Sequence, residues 1–520
     1  MTSVLVQLRR AAAFMSAATL IPAVMVAAPA PSAFADVQVV QDISRSTAAR
    51  ATCDSGSSPE TGVQGDVPAA DRDSGRSTQG YHCNITSIGS YAGNGGGVVS
   101  ASLDSCVYIG SFFPGSLTGP AVGVQVLDVS DPRNPVLAGT LTEPAMLAGT
   151  WESLKVNSAR KLLVAAGVPI LTGAGLLSIY DISDCKHPRL LNPGPGSTLS
   201  MPLPITAHEG GFSPDGNTYW SSGTAPGLVS AVDLTDPAQP RVVWQGLPGP
   251  SMHGMGFSAD GNRMYLANNL GGMSILDTSA VQRRDPNPVV PVLSETTWTD
   301  GWATQHAVPV TYGGKPYLFT PNEAGSGGVK VIDVSDDAHP RIVNSIKLEI
   351  DLPENADTAL ASSMGGGIFS YDPHYCTADR PADPTALACA WFSSGIRVFD
   401  VRDPLHIREI GYYNPPAHTN DNDGLGNSPH KLVSVIGAPV LSAPALLRAV
   451  TSGVFDPAQA AGPRTGKVLF GDLSADWCSS PPRWQGRQLW VSCTDNTYMT
   501  LELDPDAYSA PVDQQTTVGS

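Results

Sequence analysis

Apolar and polar residues alternate along short segments of this chain, and each alternation ends at an Asp followed by a turn-forming cluster. "VKVIDVSDDAHPRIV" begins at Val329, and nearly the same pattern recurs in "VQVLDVSDPRNPVLA" from Val124, "LSIYDISDCKHPRLL" from Leu177 and "VSAVDLTDPAQPRVV" from Val229. It recurs again in "MSILDTSAVQRRDPNPVV" from Met273, with a short insertion, and in "IRVFDVRDPLHIREI" from Ile396. A period of two residues over five or six positions is that of a half-buried strand. A sentence repeated at intervals of roughly 44–67 residues fits a four-stranded propeller blade. The elements before each sentence complete the blade: an inner strand, an Asp-Gly turn such as "SPDGN" (Ser213 to Asn217) or "SADGN" (Ser258 to Asn262), then a second strand. The repeated Asp residues, Asp128, Asp181, Asp233, Asp277, Asp333 and Asp400, read as caps that accept backbone N–H groups in the following turn. Helical periodicity is almost absent; the one candidate helix starts at Leu441, inside an insertion.

Counting inner strands places blade starts near Gly97, Glu152, His208, His253, His306, Met364 and His430. The expected fold is therefore all-β, a seven-bladed propeller over residues 81–508. The last blade would take "KLVSVIG", "KVLFGDL" and the stretch beginning "LWVSC". Residues 84–93 would supply its outer strand and close the ring, leaving no open sheet edge. Ahead of the ring, residues 1–35 have the layout of an export signal: Arg9 and Arg10, an Ala-rich apolar stretch broken by Pro22, and Ala33-Phe34-Ala35 as a cleavage site. Residues 36–80, rich in Ser, Gly and Asp, read as an extended arm tethered by a disulfide, and residues 509–520 as a disordered tail. Once the signal is cleaved, no remaining stretch is long and apolar enough to span a bilayer as a helix.

Charge and cysteine content narrow the function classes. The formal net charge is −17, and losing Arg9 and Arg10 with the signal takes it to about −19. With no basic run in the sequence, nucleic acid and anionic membranes are excluded as partners. Eight cysteines in an exported chain imply disulfides. Cys376 with Cys389 and Cys478 with Cys493 bracket short hairpin-like spans. For the other four, Cys53–Cys83 and Cys106–Cys185 is the expected pairing, with the remaining connectivities still open to the sequence. The expected location is secreted or cell-envelope associated.

The sentences "VQVLDVSDP" and "VKVIDVSDD" resemble LVIVD repeats, found in secreted and surface bacterial β-propellers. That resemblance covers roughly residues 50–505, including "ACAWFSSGIRVFDVRDP"; it implies the propeller fold and leaves function open. A more distant likeness is to the selenium-binding protein and methanethiol oxidase group, whose axial histidines are associated with copper.

Candidate chemistry lies at the inner-strand starts. His208, His253 and His306 stand four residues before Phe212, Phe257 and Val310, each at one position relative to the following hairpin. Glu152 occupies the same register in blade two and His430 in blade seven. Inner strands begin at the central channel, so these side chains are expected to converge there, His208, His253 and His306 as ligands of a Cu, Zn or Fe ion. Glu152 and His430 are candidate further ligands or proton-transfer groups, and Glu323 would orient an imidazole. Against this, channels hold water, and a single channel histidine more commonly serves as a hydrogen-bonding group. Glu209 is expected to face away from its neighbour His208. His374 and His82 read as loop residues beside disulfides, His187, His339 and His406 as outer-turn residues, and the acidic run between His418 and His430 as a loop lacking calcium-site spacing. No serine-hydrolase elbow or phosphate loop stands where it would act. Two functions remain: a binding or scaffold module that recognises a protein, glycan or small ligand at a propeller face, or a metal-dependent oxidoreductase built on the axial histidines.

Overall fold

The structure is a computed structural model that describes residues 37–40, 47–112, 122–167, 176–193, 207–224, 227–362, 370–417, 425–428 and 474–511. Seven antiparallel four-stranded sheets follow one another around a ring, making a seven-bladed β-propeller. Among the described residues only short helices occur, the longest being Ala356–Ser362. Blade three shows the plan: Ala207–Phe212 innermost, then Thr218–Gly223, Val229–Asp233 and Arg241–Gly246 outermost. The third strand of each blade carries alternating apolar residues into the layers between blades, as with Val229, Ala231, Val329, Val331, Ile396 and Val398, all fully buried.

The repeated Asp residues are turn caps in all six sentences. The carboxylates of Asp128, Asp181, Asp233, Asp277 and Asp333 each accept the backbone N–H two residues on at 2.9 Å, and Asp400 does so at 3.2 Å. In four of them the second oxygen takes the Arg eight residues later: Arg189, Arg241, Arg341 and Arg408. His187, His339 and His406 bond the outer-turn Asp184, Asp336 and Asp403, as their position in the repeat implies. In the Asp-Gly turns, Gly216 and Gly261 have φ of 68° and 72°, a region open to Gly without strain.

Ile85–Tyr91 pairs with Tyr498–Leu503 and closes blade seven, as expected. The rest of that blade lies elsewhere than the sequence reading put it. Its inner strand is Arg483–Gln485, not the segment after His430, and "LWVSCTDNTYMTLEL" holds two strands, Gln488–Val491 and Tyr498–Leu503. His430, "KLVSVIG", "KVLFGDL" and the candidate helix from Leu441 lie outside the described residues. Blade six likewise begins at Cys376–Ala378 and not at Met364, which also lies outside them. In both blades a long segment separates the previous outer strand from the next inner one, so even spacing misplaced the start.

All four disulfides pair as expected: Cys53–Cys83, Cys106–Cys185, Cys376–Cys389 and Cys478–Cys493, with Cα–Cα distances of 4.9, 5.8, 4.0 and 4.2 Å. Two blades gain a fifth strand from the chain's beginning. Val37–Val40 pairs in parallel with Val292–Trp298, and Tyr81–Cys83 pairs with Arg408–Asn414. Residues 47–80 contact blades five and six, held by Arg397, whose guanidinium joins Glu60 (2.8 Å) and Glu409 (3.0 Å) and stacks on Tyr412.

Candidate metal centre on the propeller axis

Five blades each deliver one ionisable side chain to the axis. Glu152 precedes the inner strand Lys155–Asn157 of blade two, and His208 and His253 lie on the inner strands of blades three and four. Glu323 ends the second strand of blade five, Lys315–Ala324, and His374 precedes Cys376–Ala378 in blade six. Two triads, Glu152–His208–His253 and Glu152–Glu323–His374, have ligand atoms all within 4.8 Å of one another and share Glu152. Glu152 lies 3.0 Å from His208 Nε2, 3.5 Å from His253 Nε2 and 2.9 Å from His374 Nε2. Glu323 closes the ring at 3.4 Å from His253 Nε2 and 3.2 Å from His374 Nε2. Two donor atoms sharing an ion at 2.0–2.2 Å are separated by about 3.0–3.5 Å, and these spacings match.

The imidazoles are oriented by what holds their other nitrogen. His253 Nδ1 is 3.0 Å from both Glu209 Oε2 and the Gln305 carbonyl, and His374 Nδ1 is 2.7 Å from the Ser479 carbonyl. Nδ1–H therefore donates in both rings, and Nε2 is left facing the carboxylates. Aromatic rings fix the positions further. Trp151 packs edge-on against His208 at 5.4 Å and Phe392 lies 5.1 Å from His374. Both aromatics have left-handed backbone, φ 43° and 38°, a conformation costly for large side chains and typical of functional sites.

A buried cluster with this much charge needs internal balance. Burial would raise the Glu152 carboxyl, but the charges of His208 and His253 outweigh it and hold the group well below its usual range. Burial would lower His253; the charge of Glu152, the hydrogen bond to Glu209 and the charge of Glu323 instead push it up to about 9. His374 rises to about 10 against burial, through its hydrogen bonds to Glu152 and Glu323. Without an ion, protons on these imidazoles offset the carboxylates. One oxygen remains poorly served: Glu152 Oε2 is buried and, for all its short approaches, receives no aligned hydrogen bond among the described residues. A divalent cation would satisfy it. The mixed imidazole–carboxylate donors suit Fe, Zn, Cu or Mn.

His306 does not join this ring. Blade five's inner strand is in two pieces, Trp302–Thr304 and Val308–Tyr312, and His306 falls in the gap. Gln305 faces the cluster instead, its Nε2 3.1 Å from His374 Nε2. His306 bonds the Cys376 carbonyl at 3.2 Å and stacks on Tyr375 at 4.5 Å, with burial pushing it down to about 4. A one-residue offset was enough to remove it.

Three residues differ from what the sequence pattern implies: His374, Glu209 and Glu323. The sequence pattern reads His374 as a loop residue beside a disulfide, yet the Cys376–Cys389 pairing marks the start of an inner strand two residues later, the signal that identifies it as axial. Glu209 was expected to face away from His208. A register shift between Ala207 and Glu209, a bulge, lets consecutive residues serve the channel. Glu209 takes His253 Nδ1 on one oxygen and Tyr375 Oη (2.6 Å) and Lys155 Nζ (3.3 Å) on the other. Blade four has a similar shift between Met252 and Met255, around His253. Glu323, expected to sit behind the imidazoles, faces them directly.

No family model and no curated protein matches the chain. Among solved structures it is similar to a functionally unknown protein from Desulfotomaculum acetoxidans, at 16% identity over 61% of this chain and 84% of that one, TM-score 0.42. It is similar to the periplasmic gluconolactonase of Pseudomonas aeruginosa, at 15% identity over 59% and 82%, TM-score 0.42. It is also similar to Chaetomium thermophilum Sqt1, solved bound to the N-terminus of ribosomal protein L10, at 14% identity over 62% and 76%, TM-score 0.42. At these identities and scores the likeness carries no argument about this chain, whose propeller architecture rests on its own sheet topology.

Proposed function

We propose that this protein is an exported metalloprotein that holds a transition-metal ion on the propeller axis and uses it as an oxidoreductase. The ion would be held by Glu152 with Nε2 of His208 and His253, beside Glu323 and His374 of the triad that shares Glu152, and it would supply a redox couple or Lewis acidity. The observation that carries this reading is Glu152 at the meeting of two donor triads, Glu152–His208–His253 and Glu152–Glu323–His374, with neighbouring donors 2.9–3.5 Å apart and two imidazoles locked by Nδ1 hydrogen bonds. Export is supported by four disulfides, which persist in oxidising compartments, and by the layout of residues 1–35. The six Asp-terminated sentences keep the LVIVD-repeat proteins as the family it resembles.

The test is elemental analysis of protein purified without chelators. Near-stoichiometric Cu, Zn, Fe or Mn is expected in the wild type, and its loss in His253→Ala and in Glu152→Gln. Wild-type protein that copurifies with no metal and takes up none from solution overturns the reading. A binding module for a protein, glycan or small ligand would then be the function left to the fold.

A further inference from the structure

Beside the axial cluster, and sharing Glu209 with it, lies a cavity of about 510 Å³ lined by Phe212, Met255, Phe257, Pro309, Arg380 and Tyr375 among others. Its volume falls in the range of small-molecule pockets, and its wall is mainly apolar. The charges at its surface run against those of the whole molecule. In a chain of net charge −17, the charged residues lining this cavity are Lys155, Arg380 and Glu209. The Glu209 side chain is only 1% exposed and is already committed to Lys155, His253 and Tyr375. Arg380 gives Nε to the Asp383 carbonyl at 2.9 Å, and its Nη groups make no hydrogen bond or ion pair among the described residues. The cavity is therefore lined by an arginine whose Nη donors are uncommitted among the described residues, together with a mainly apolar wall. His306 adds a second unmet polar atom. It lines the cavity, is 6% exposed, and its Nδ1 has no partner among the described residues while Nε2 bonds the Cys376 carbonyl.

We infer that this cavity is a binding site for a small amphipathic organic acid, with its carboxylate on Arg380 and its apolar body against Phe212, Met255 and Phe257. A guanidinium suits a carboxylate through paired donors, and apolar walls strengthen that interaction by excluding water. The unmet Nδ1 of His306 accepts from a ligand hydroxyl or from a water carried with the ligand. The site is one side chain away from the ion ring, because Tyr375 in its lining reaches His253 through Glu209. It does not require the ion for its own chemistry.

The test uses 3-phenylpropanoate and its neutral amide as probes, titrated calorimetrically into the full protein with and without chelator treatment. The acid is expected to bind saturably in both preparations, and the amide at least about tenfold more weakly, since a charge-assisted hydrogen bond is lost. Arg380→Gln is expected to weaken the acid by a similar factor while leaving the amide unchanged, with an unaltered melting temperature showing that the fold survives. Equal binding of acid and amide, no binding of either, or an Arg380→Gln variant that binds the acid as well as wild type overturns the inference. The acid–amide comparison needs no variant, and the chelated arm separates this outcome from that of the metal assay.

Discussion

His253 occupies the middle of the site with both ring nitrogens in use, Nδ1 toward Glu209 and Gln305 and Nε2 toward Glu152 and Glu323. Glu209 should therefore govern how well His253 binds an ion without itself touching it. Glu209→Gln keeps the volume and removes the charge, and metal affinity measured by chelator competition should fall about 10–100-fold. Unchanged affinity would mean that Glu209 serves only the cavity side. The titrating groups also set a pH window for the metal-free protein. His253 and His374 have folded values of about 9 and 10, above the ordinary 6.5, so the stability they contribute is complete below about pH 6.5 and is lost as pH rises through 9 to 10. His306 works in the opposite sense. It is held neutral down to about 4, so stability is intact above pH 6.5 and declines as pH falls from 6.5 toward 4. Melting temperature of the chelated protein should peak near pH 6.5 and drop on both sides. A profile flat from pH 7 to 10 would remove the basis for protonated imidazoles at the axis.

Among the strands, the repeated sentence was the most readable feature, because its Asp has a local task. Asp333 accepts Ser335 N–H at 2.9 Å and holds Arg341; the backbone bond recurs in the five other sentences and the Arg pairing in three of them. Asp333→Ala should cost about 1–2 kcal/mol of stability, measured by denaturant unfolding, with metal content unchanged. A loss of metal in that variant would contradict the separation of outer caps from axial ligands. What the repeat left obscure were the inner strands. Their starts in blades six and seven follow long insertions, so the sequence pattern does not mark His374 as axial, and His430 lies outside the described residues. Register failed for a second reason as well. The bulge beside His208 and the divided strand before Val308 each alter which residue meets the channel, and a strict two-residue alternation contains neither. His208, His253, Glu152 and Glu323 are legible as channel residues because the connections before their strands are shorter than those before blades six and seven.

The whole ring is what makes the centre, since Glu152, His208, His253, Glu323 and His374 come from five successive blades. Closure by Ile85–Tyr91 is accordingly part of the site's stability. Ile85 is 1% exposed and packs with Leu489, Leu501 and Leu503, so Ile85→Ala should destabilise by about 2–4 kcal/mol. Val136→Ala, on the exposed outer strand of blade one, should stay within about 0.5 kcal/mol of wild type. Comparable costs for the two would deny the closing strand its special role. The central claim, an ion on the axis, is met most directly by anomalous diffraction from crystals of protein prepared without chelators, collected above and below the absorption edge of the metal found. The account expects an anomalous peak inside the ring, about 2.0–2.2 Å from His253 Nε2 and a Glu152 oxygen, with His208 or His374 completing the coordination. A ring with no anomalous peak, or a peak held by other residues, would contradict it.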